Sequence, residues 1–263
     1  MFANERYSEI IAMLEKNGSV TVSELAHKFR VSIETVRRDL FYLEKKNLLQ
    51  RVHGGAIVAS KMSRYKTLEK RLDENVDKKL QCAQAAMTLI EENDVIFVDS
   101  GSTAVEFARV LKSHFNALTV ITHSLDVYIQ LREAREFRLI LIGGEYAPEE
   151  AANHGFLAED MVRRLHAAQA FIFPYAISLK HGMGDQETRF IPIQRAYMEN
   201  ADRTVFVSDS SKLEKNCFLK LCDLEPQHIL ITDADISEDI YKAYTEKNIK
   251  LYRGGKDRIC TAR

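Results

Sequence analysis

No run of about 18 apolar residues occurs in the 263-residue chain, so no segment is expected to span a membrane. The four cysteines (Cys82, Cys217, Cys222 and Cys260) include no Cys-x-x-Cys pair, and no His-Glu-x-x-His lies among the eight histidines. Reduced thiols and no metal site are therefore expected. The opening residues, MFANERYSEI, hold two acids and no apolar core, unlike a secretory signal, so a cytoplasmic location is expected. Neither a GxxxxGK[ST] loop nor a GxGxxG fingerprint is present, and this counts against a nucleotide-binding protein; no cofactor is expected. Internal repeats and low-complexity segments are also missing. Neither sign of charge predominates, with 37 basic against 38 acidic residues. That near-neutrality hides an asymmetry: residues 1–61 carry +3 and the remainder −4. A basic head beside an acidic body points modestly to nucleic acid. With 46% apolar residues, the chain can bury one large core or two ordinary ones.

The head is dense in signals. Tyr7, Ile10, Ile11 and Leu14 recur at helical spacing, and Gly18 is a plausible stop. Thr21 and Glu24 have the spacing of a capping box for a short second helix that buries Leu25, Ala26 and Phe29. Ser32 is placed to cap a third helix, in which Val36, Leu40 and Leu43 form an apolar stripe with Ile33 near it. Glu34, Thr35, Arg38 and Tyr42 fall roughly opposite, with Arg37 on the flank; Glu34 and Arg38 stand at ion-pair spacing. Two helices joined by a three-residue turn, the second bearing such a face, make a helix-turn-helix. The stretch LLQRVHGGAIV then reads as a hairpin wing whose Arg51, His53 and Gly54 can approach the DNA backbone. The expected DNA-contacting set is Thr21, Ser23, Ser32, Glu34, Thr35, Arg37, Arg38, Arg51, His53 and Gly54, and the expected partner is a double-stranded operator.

The segment TVSELAHKFRVSIETVRRDLFYLEKKNLLQRVHGGA resembles the winged-helix signature of the DeoR family of bacterial transcriptional regulators. The expected division is a winged helix-turn-helix domain over 1–58, a polar linker over 59–75 and an effector-binding α/β domain over 76–263. The second domain should open with a helix burying Leu80, Ala83 and Met87. Short apolar runs then alternate with amphipathic stretches: DVIFVDS, LTVITHS, FRLILIGG, QAFIFPYAIS, RTVFVSDSS, HILITDAD and IKLYR. That alternation predicts a mostly parallel sheet covered on both faces.

Ligands of such sheets bind beyond the strands' C-terminal ends. The residues there are alike in kind: Asp99, Gly101, Ser102 and Thr103; Thr122, His123 and Ser124; Gly143 and Gly144; and Lys212. A Gly-Ser-Thr turn opening a helix suits a phosphate, and Lys212 adds a mobile positive charge. Asp99 suits sugar hydroxyls or the loop's own N–H groups. Each motif alone is also an ordinary cap or turn; the convergence of four on one rim favours a small anion.

DSGST, VITHSL, LIGG and DSSK continue the DeoR resemblance into this half. The resemblance implies a fold similar to ribose-5-phosphate isomerase and a phosphorylated sugar or sugar derivative as effector. It implies that Asp99, Gly101, Ser102, Thr103 and Lys212 line the site. The sequence departs from the family pattern at His123, where asparagine is usual, and at Tyr175-Ala176, where a glycine-containing pair is usual; the loop LKHGMGDQETRF is also unlike the pattern. A homo-oligomeric repressor of a carbohydrate-use operon is the leading expectation. The alternative is a sugar-phosphate isomerase-like enzyme with a DNA-binding head, using Asp99, Asp185 or Glu187 as base.

Overall fold

The computed structural model describes residues 3–17, 19–45, 48–52, 54–58, 67–217 and 219–257. The chain forms two compact units, Met1–Tyr65 and Lys66–Arg263.

The first unit contains α1 (Ala3–Asn17), β1 (Ser19–Thr21), α2 (Val22–Phe29), α3 (Ile33–Lys45), β2 (Leu49–Val52) and β3 (Gly55–Val58). Its core is a small cluster of Ile10, Leu14, Val20, Leu25, Phe29, Val36, Leu40, Leu43, Leu49 and Ala56. The capping box is formed at α2: Thr21 Oγ1 accepts from Glu24 N at 3.2 Å, and Thr21 N donates to Glu24 Oε2 at 3.2 Å. Such a cap contributes about 1 kcal/mol. The three strands form an antiparallel sheet in the order β1-β3-β2, which is a wing. One tie was not visible as a local pattern. Arg6 of α1 donates twice to Asp39 of α3, at 2.7 and 3.0 Å, both side chains being nearly buried. The bond to Asp39 holds the Arg6 guanidinium above its usual pKa. A forked pair of this kind fixes the rotation of α3 about its axis. Ile33, expected near the apolar stripe, is instead 49% exposed at the first turn of α3.

The second unit begins with α4 (Leu68–Leu72) and α5 (Val76–Ala86). Part of the stretch expected as linker is therefore helix, because Leu68 is buried and Arg71 has a fixed partner, described below. Leu80, expected in the core, is 36% exposed; Lys79, Cys82, Ala83 and Ala86 form the buried face of α5 instead. There follow β4 (Val95–Val98), α6 (Ser102–His114), β5 (Thr119–Thr122), α7 (Leu125–Leu131), β6 (Arg138–Leu141), β7 (Glu145–Ala147), β8 (Ala152–His154) and α8 (Phe156–Arg163). The remainder is β9 (Ala167–Ile172), β10 (Ala176–Ser178), β11 (Gly182–Asp185), α9 (Ile191–Glu199), β12 (Ala201–Val207), β13 (Leu219–Cys222), β14 (Ile229–Thr232), α10 (Glu238–Thr245) and β15 (Lys250–Arg253).

Seven strands form one parallel sheet in the order β15-β14-β12-β9-β4-β5-β6. Side chains alternate between its faces. Ile96, Val98, Val120, Phe171, Val205 and Ile231 pack with α5, α6 and α7. Phe97, Ile121, Ala170, Ile172, Phe206 and Leu230 pack with α8, α9 and α10. The strands are apolar on both sides because both faces are covered. From β4 the chain moves outward through β5 to β6, returns to place β9 beside β4, and then moves outward the other way. Such a reversal opens a crevice at the C-terminal ends of the two central strands. Two pieces were not foreseen: the β7–β8 hairpin, and a small antiparallel sheet of β10, β11 and β13.

Candidate functional site

In the first unit, Ser32 Oγ accepts from Thr35 N at 3.1 Å and lies 2.9 Å from the Thr35 hydroxyl, fixing the start of α3. Arg37 and Glu34 are both about two-thirds exposed and 3.8 Å apart, so Arg37 rather than Arg38 takes the glutamate. An ion pair this exposed contributes little and leaves the guanidinium available. Among the described residues nothing pairs with Arg38. Ser23, Ile33, Arg37, Arg51, Val52 and Gly54 line a cavity of about 390 Å³ between the helices and the wing. Arg51 is held in place, 3.4 Å from Glu44 and with its guanidinium carbon 5.5 Å from the centre of the Phe41 ring. Gly54 is exposed at the hairpin turn, and Thr21 is committed to its cap. His53 lies outside the described residues.

In the second unit the C-terminal ends of β4 and its neighbouring strands carry buried groups whose bonding is incomplete. Asp99 follows β4 and is fully buried. Its Oδ2 accepts from Phe173 N at 3.3 Å, just past β9, and from Gln194 Nε2 at 3.0 Å. Its Oδ1 has no hydrogen-bond partner and lies 3.6 Å from His123 Nε2, which has none either. Burial, reinforced by the nearby Asp185 charge, pushes the Asp99 carboxyl up to about 7. His123 follows β5, sits 3.1 Å through Nδ1 from the Tyr197 hydroxyl, and stacks near Phe190 with ring centres 5.8 Å apart. Burial drives its pKa down to about 3, so the ring is neutral. Gln194 Nε2 also reaches Asp185 Oδ2 at 3.2 Å, and its Oε1 is without a partner. Burial raises the Asp185 carboxyl too.

Around these acids stand cations. Gly101 precedes α6 with φ +114°, a backbone open to glycine, and the ensuing Ser102 and Thr103 are buried, with Thr103 Oγ1 unpaired. A Cβ on Gly101 would stand 3.9 Å from Arg71 Nη1. Arg71, on α4, binds both carboxylate oxygens of Glu150 in the β7–β8 turn, and its guanidinium carbon lies 5.9 Å from the centre of the Tyr175 ring. Lys79 Nζ donates to the Arg71 and Leu72 carbonyls; burial lowers its pKa to about 8. Lys212 ends a tight turn after β12, where burial lowers its pKa against the opposing pull of Asp209. Asp209 Oδ2 is a further buried atom without a partner.

Of the residues expected at this rim, Asp99, Gly101, Ser102, Thr103, His123 and Lys212 stand at the central strand ends. Thr122 and Ser124 use their hydroxyls locally: Thr122 Oγ1 accepts from Ser124 N, and Ser124 Oγ caps α7 through Val127 N. Gly143 and Gly144 lie under the hairpin; a Cβ on Gly144 would stand 2.5 Å from the His154 carbonyl oxygen. Arg71, Lys79, Glu150, Gln194 and Tyr197 were not in the sequence-derived site set, and Asp185 entered it only as a candidate base of the enzyme alternative. Each comes from an element whose position depends on contacts far along the chain. Among the described residues no group of His, Cys, Asp and Glu could hold a metal ion, and no helix is long and apolar enough to cross a membrane.

A winged helix-turn-helix unit joined to an α/β unit with a polar strand-end site defines a ligand-responsive transcriptional regulator. The DeoR-like helix-turn-helix domain matches residues 6–62, and the DeoR C terminal sensor domain matches residues 74–234. The chain belongs to the DeoR family. The lactose phosphotransferase system repressor of Lactococcus lactis is 31% identical, covering 94% of this chain and 97% of its own length. The HTH-type transcriptional regulator GolR of Listeria innocua is 29% identical, covering 95% and 98%. The putative aga operon transcriptional repressor of Escherichia coli O157:H7 is 29% identical, covering 96% and 94%. Among solved structures, ribose 5-phosphate isomerase A of Methanocaldococcus jannaschii superposes at a TM-score of 0.40 with 19% identity, over 53% of this chain and 55% of its own.

Proposed function

We propose that the chain is a homo-oligomeric cytoplasmic repressor of genes for carbohydrate use, and that a phosphorylated sugar or sugar derivative is its effector. The strand-end site holds this ligand without turning it over. The observation that carries this reading is the set of buried polar atoms without partners, Asp99 Oδ1, His123 Nε2, Gln194 Oε1 and Thr103 Oγ1, at strand ends where Arg71, Lys79 and Lys212 also gather. Unpaired buried polar atoms are costly, and a ligand that supplies hydroxyls and an anion satisfies them. The Gly101–Thr103 turn and the cations suit the phosphate; Asp99, His123 and Gln194 suit hydroxyls. Two of the relatives are named as repressors, one of a lactose phosphotransferase system and one of an aga operon, which supports both the sign and the metabolic setting.

Thermal unfolding in the presence of a broad panel of sugar phosphates and their parent sugars tests the reading. At least one sugar phosphate is expected to raise the midpoint by several degrees, since ligand at 100 times Kd stabilises by about 2.7 kcal/mol. The parent sugar should do much less. No shift with any member of the panel would overturn the assignment.

The enzyme reading keeps one supporting observation, the Asp99 carboxyl at about 7, where a general base operates. Glu187, another nominated base, is paired 2.7 Å from Arg189, which holds its carboxyl below the usual range. Turnover of a bound sugar phosphate would make the isomerase reading the better one.

A further inference from the structure

Helix α8 is an ordinary covering helix on one side and an unusual one on the other. Ala158 and Val162 enter the core below the sheet. At 100° per residue, this leaves Phe156, Leu157, Asp160, Arg163 and the C-cap Arg164 pointing outward, with Met161 on the flank. Phe156 is 72% exposed, Leu157 56% and Met161 37%. Tyr146, on the adjoining β7–β8 hairpin, is 51% exposed. The grouping of four large apolar side chains on adjoining elements marks a contact surface more than scattered exposure would.

The charges on the same helix identify the occupant. Glu159 and Asp160 lie in its first half; Arg163 and Arg164 follow them. Within the chain they pair as Arg163–Glu159 at 3.2 Å and Arg164–Asp160 at 2.9 Å, all but Glu159 being more than half exposed. A helix whose acids precede its bases is complementary to itself when a second copy runs antiparallel: each acidic half then faces a basic half. We propose that this face is the interface with a second copy of the chain, docked about a two-fold axis with α8 against α8. A two-fold contact of this kind uses the same patch on both partners, which is what one self-complementary helix provides.

The hairpin beside α8 also reaches the strand-end site. Glu150 in its turn holds Arg71, Asn153 N donates to the His123 carbonyl at 2.9 Å, and Leu125 N donates to the Ala151 carbonyl at 2.8 Å. A ligand that competes with Glu150 for Arg71 therefore pulls on an element that borders the contact between copies. This part of the proposal rests on the sensor reading given above; the location of the interface does not.

The test is sedimentation equilibrium of the full chain at micromolar concentration. The wild type is expected to be at least a dimer. Phe156→Glu with Leu157→Glu should weaken self-association about 30-fold or more, as loss of central apolar anchors does. Both side chains are exposed, so folding is preserved, and an unchanged far-UV circular dichroism spectrum with a cooperative unfolding transition would show it. Asp160→Arg and Arg164→Asp separately place like charges across the two-fold and should each weaken association. Their equimolar mixture should restore it as a heterodimer, although each chain's own pair remains like-charged. A monomeric wild type, apolar-face variants that associate normally, or a mixture no tighter than its components would overturn the proposal. A sugar-phosphate thermal shift measured on the Phe156→Glu, Leu157→Glu chain separates the two readings. If it is absent in wild type as well, the sensor assignment fails while the interface result stands.

Discussion

Alanine at both Arg37 and Arg38 is expected to reduce DNA affinity by about 100-fold or more, with thermal stability nearly unchanged. Both side chains project from the exposed face of α3, whose opposite face is anchored by Val36, Leu40 and Leu43. Arg6 fixes the turn of that helix through Asp39. An arginine forked onto a base edge contributes ~1–3 kcal/mol of discrimination. One that contacts only phosphate gives a smaller, salt-dependent loss, and its removal lowers the slope of log affinity against log salt by about 1. Anisotropy on DNA fragments selected from a random pool by the wild-type chain distinguishes these. Arg38→Ala should relax sequence preference; Arg37→Ala, next to its exposed glutamate, should mainly change the salt dependence. Unaltered affinity in the double variant would remove α3 from the DNA.

Asparagine at Asp99 should stabilise the second unit, increasingly so as pH rises. In the folded chain burial keeps a proton on Asp99 up to about pH 7, whereas an unfolded aspartate loses its proton near 3.9. Between those values the native state binds more protons than the unfolded state, so stability falls as pH rises. Above about pH 7 the carboxylate is charged in both states and the whole penalty stands, on the order of 4 kcal/mol. Asparagine keeps an acceptor for Phe173 N and Gln194 while removing the ionisation. The difference in melting temperature between variant and wild type should therefore grow from pH 4 to about pH 7 and then level off. Parallel stability curves would show that Asp99 does not titrate in this window. The variant should also bind ligand more weakly, because Oδ1 is one of the acceptors without a partner at the strand ends.

The helix-turn-helix was legible because its signals are local. Capping at Thr21 and Ser32, the stripe of Val36, Leu40 and Leu43, and the adjacent glycines of the wing need no knowledge of distant residues. The strand ends were legible for a similar reason: every apolar run in an α/β sheet announces where its polar rim begins. The partners of those rim residues were not. Arg71 meets Glu150 across 79 positions, and Asp99 meets Gln194 across 95. No spacing rule connects such pairs. The β7–β8 hairpin was hidden by its turn, since Ala151 rather than glycine or asparagine takes the left-handed conformation, at φ 47°. Leu80 was misplaced because hydrophobicity alone suggested a buried face, whereas Lys79 lies inward to hold the carbonyls that end α4. Burying the lysine stem and amine there turns its neighbour Leu80 outward.

The division of labour between the two units is tested most directly by titrating DNA onto wild type and onto Thr103→Ala, Lys212→Ala, with and without the sugar phosphate that gives the largest thermal shift. The wild type should lose DNA affinity when that ligand is added, and the double variant should bind DNA equally well with and without it. A double variant that releases DNA with the wild-type ligand dependence would place the sensor somewhere other than the ends of the central strands.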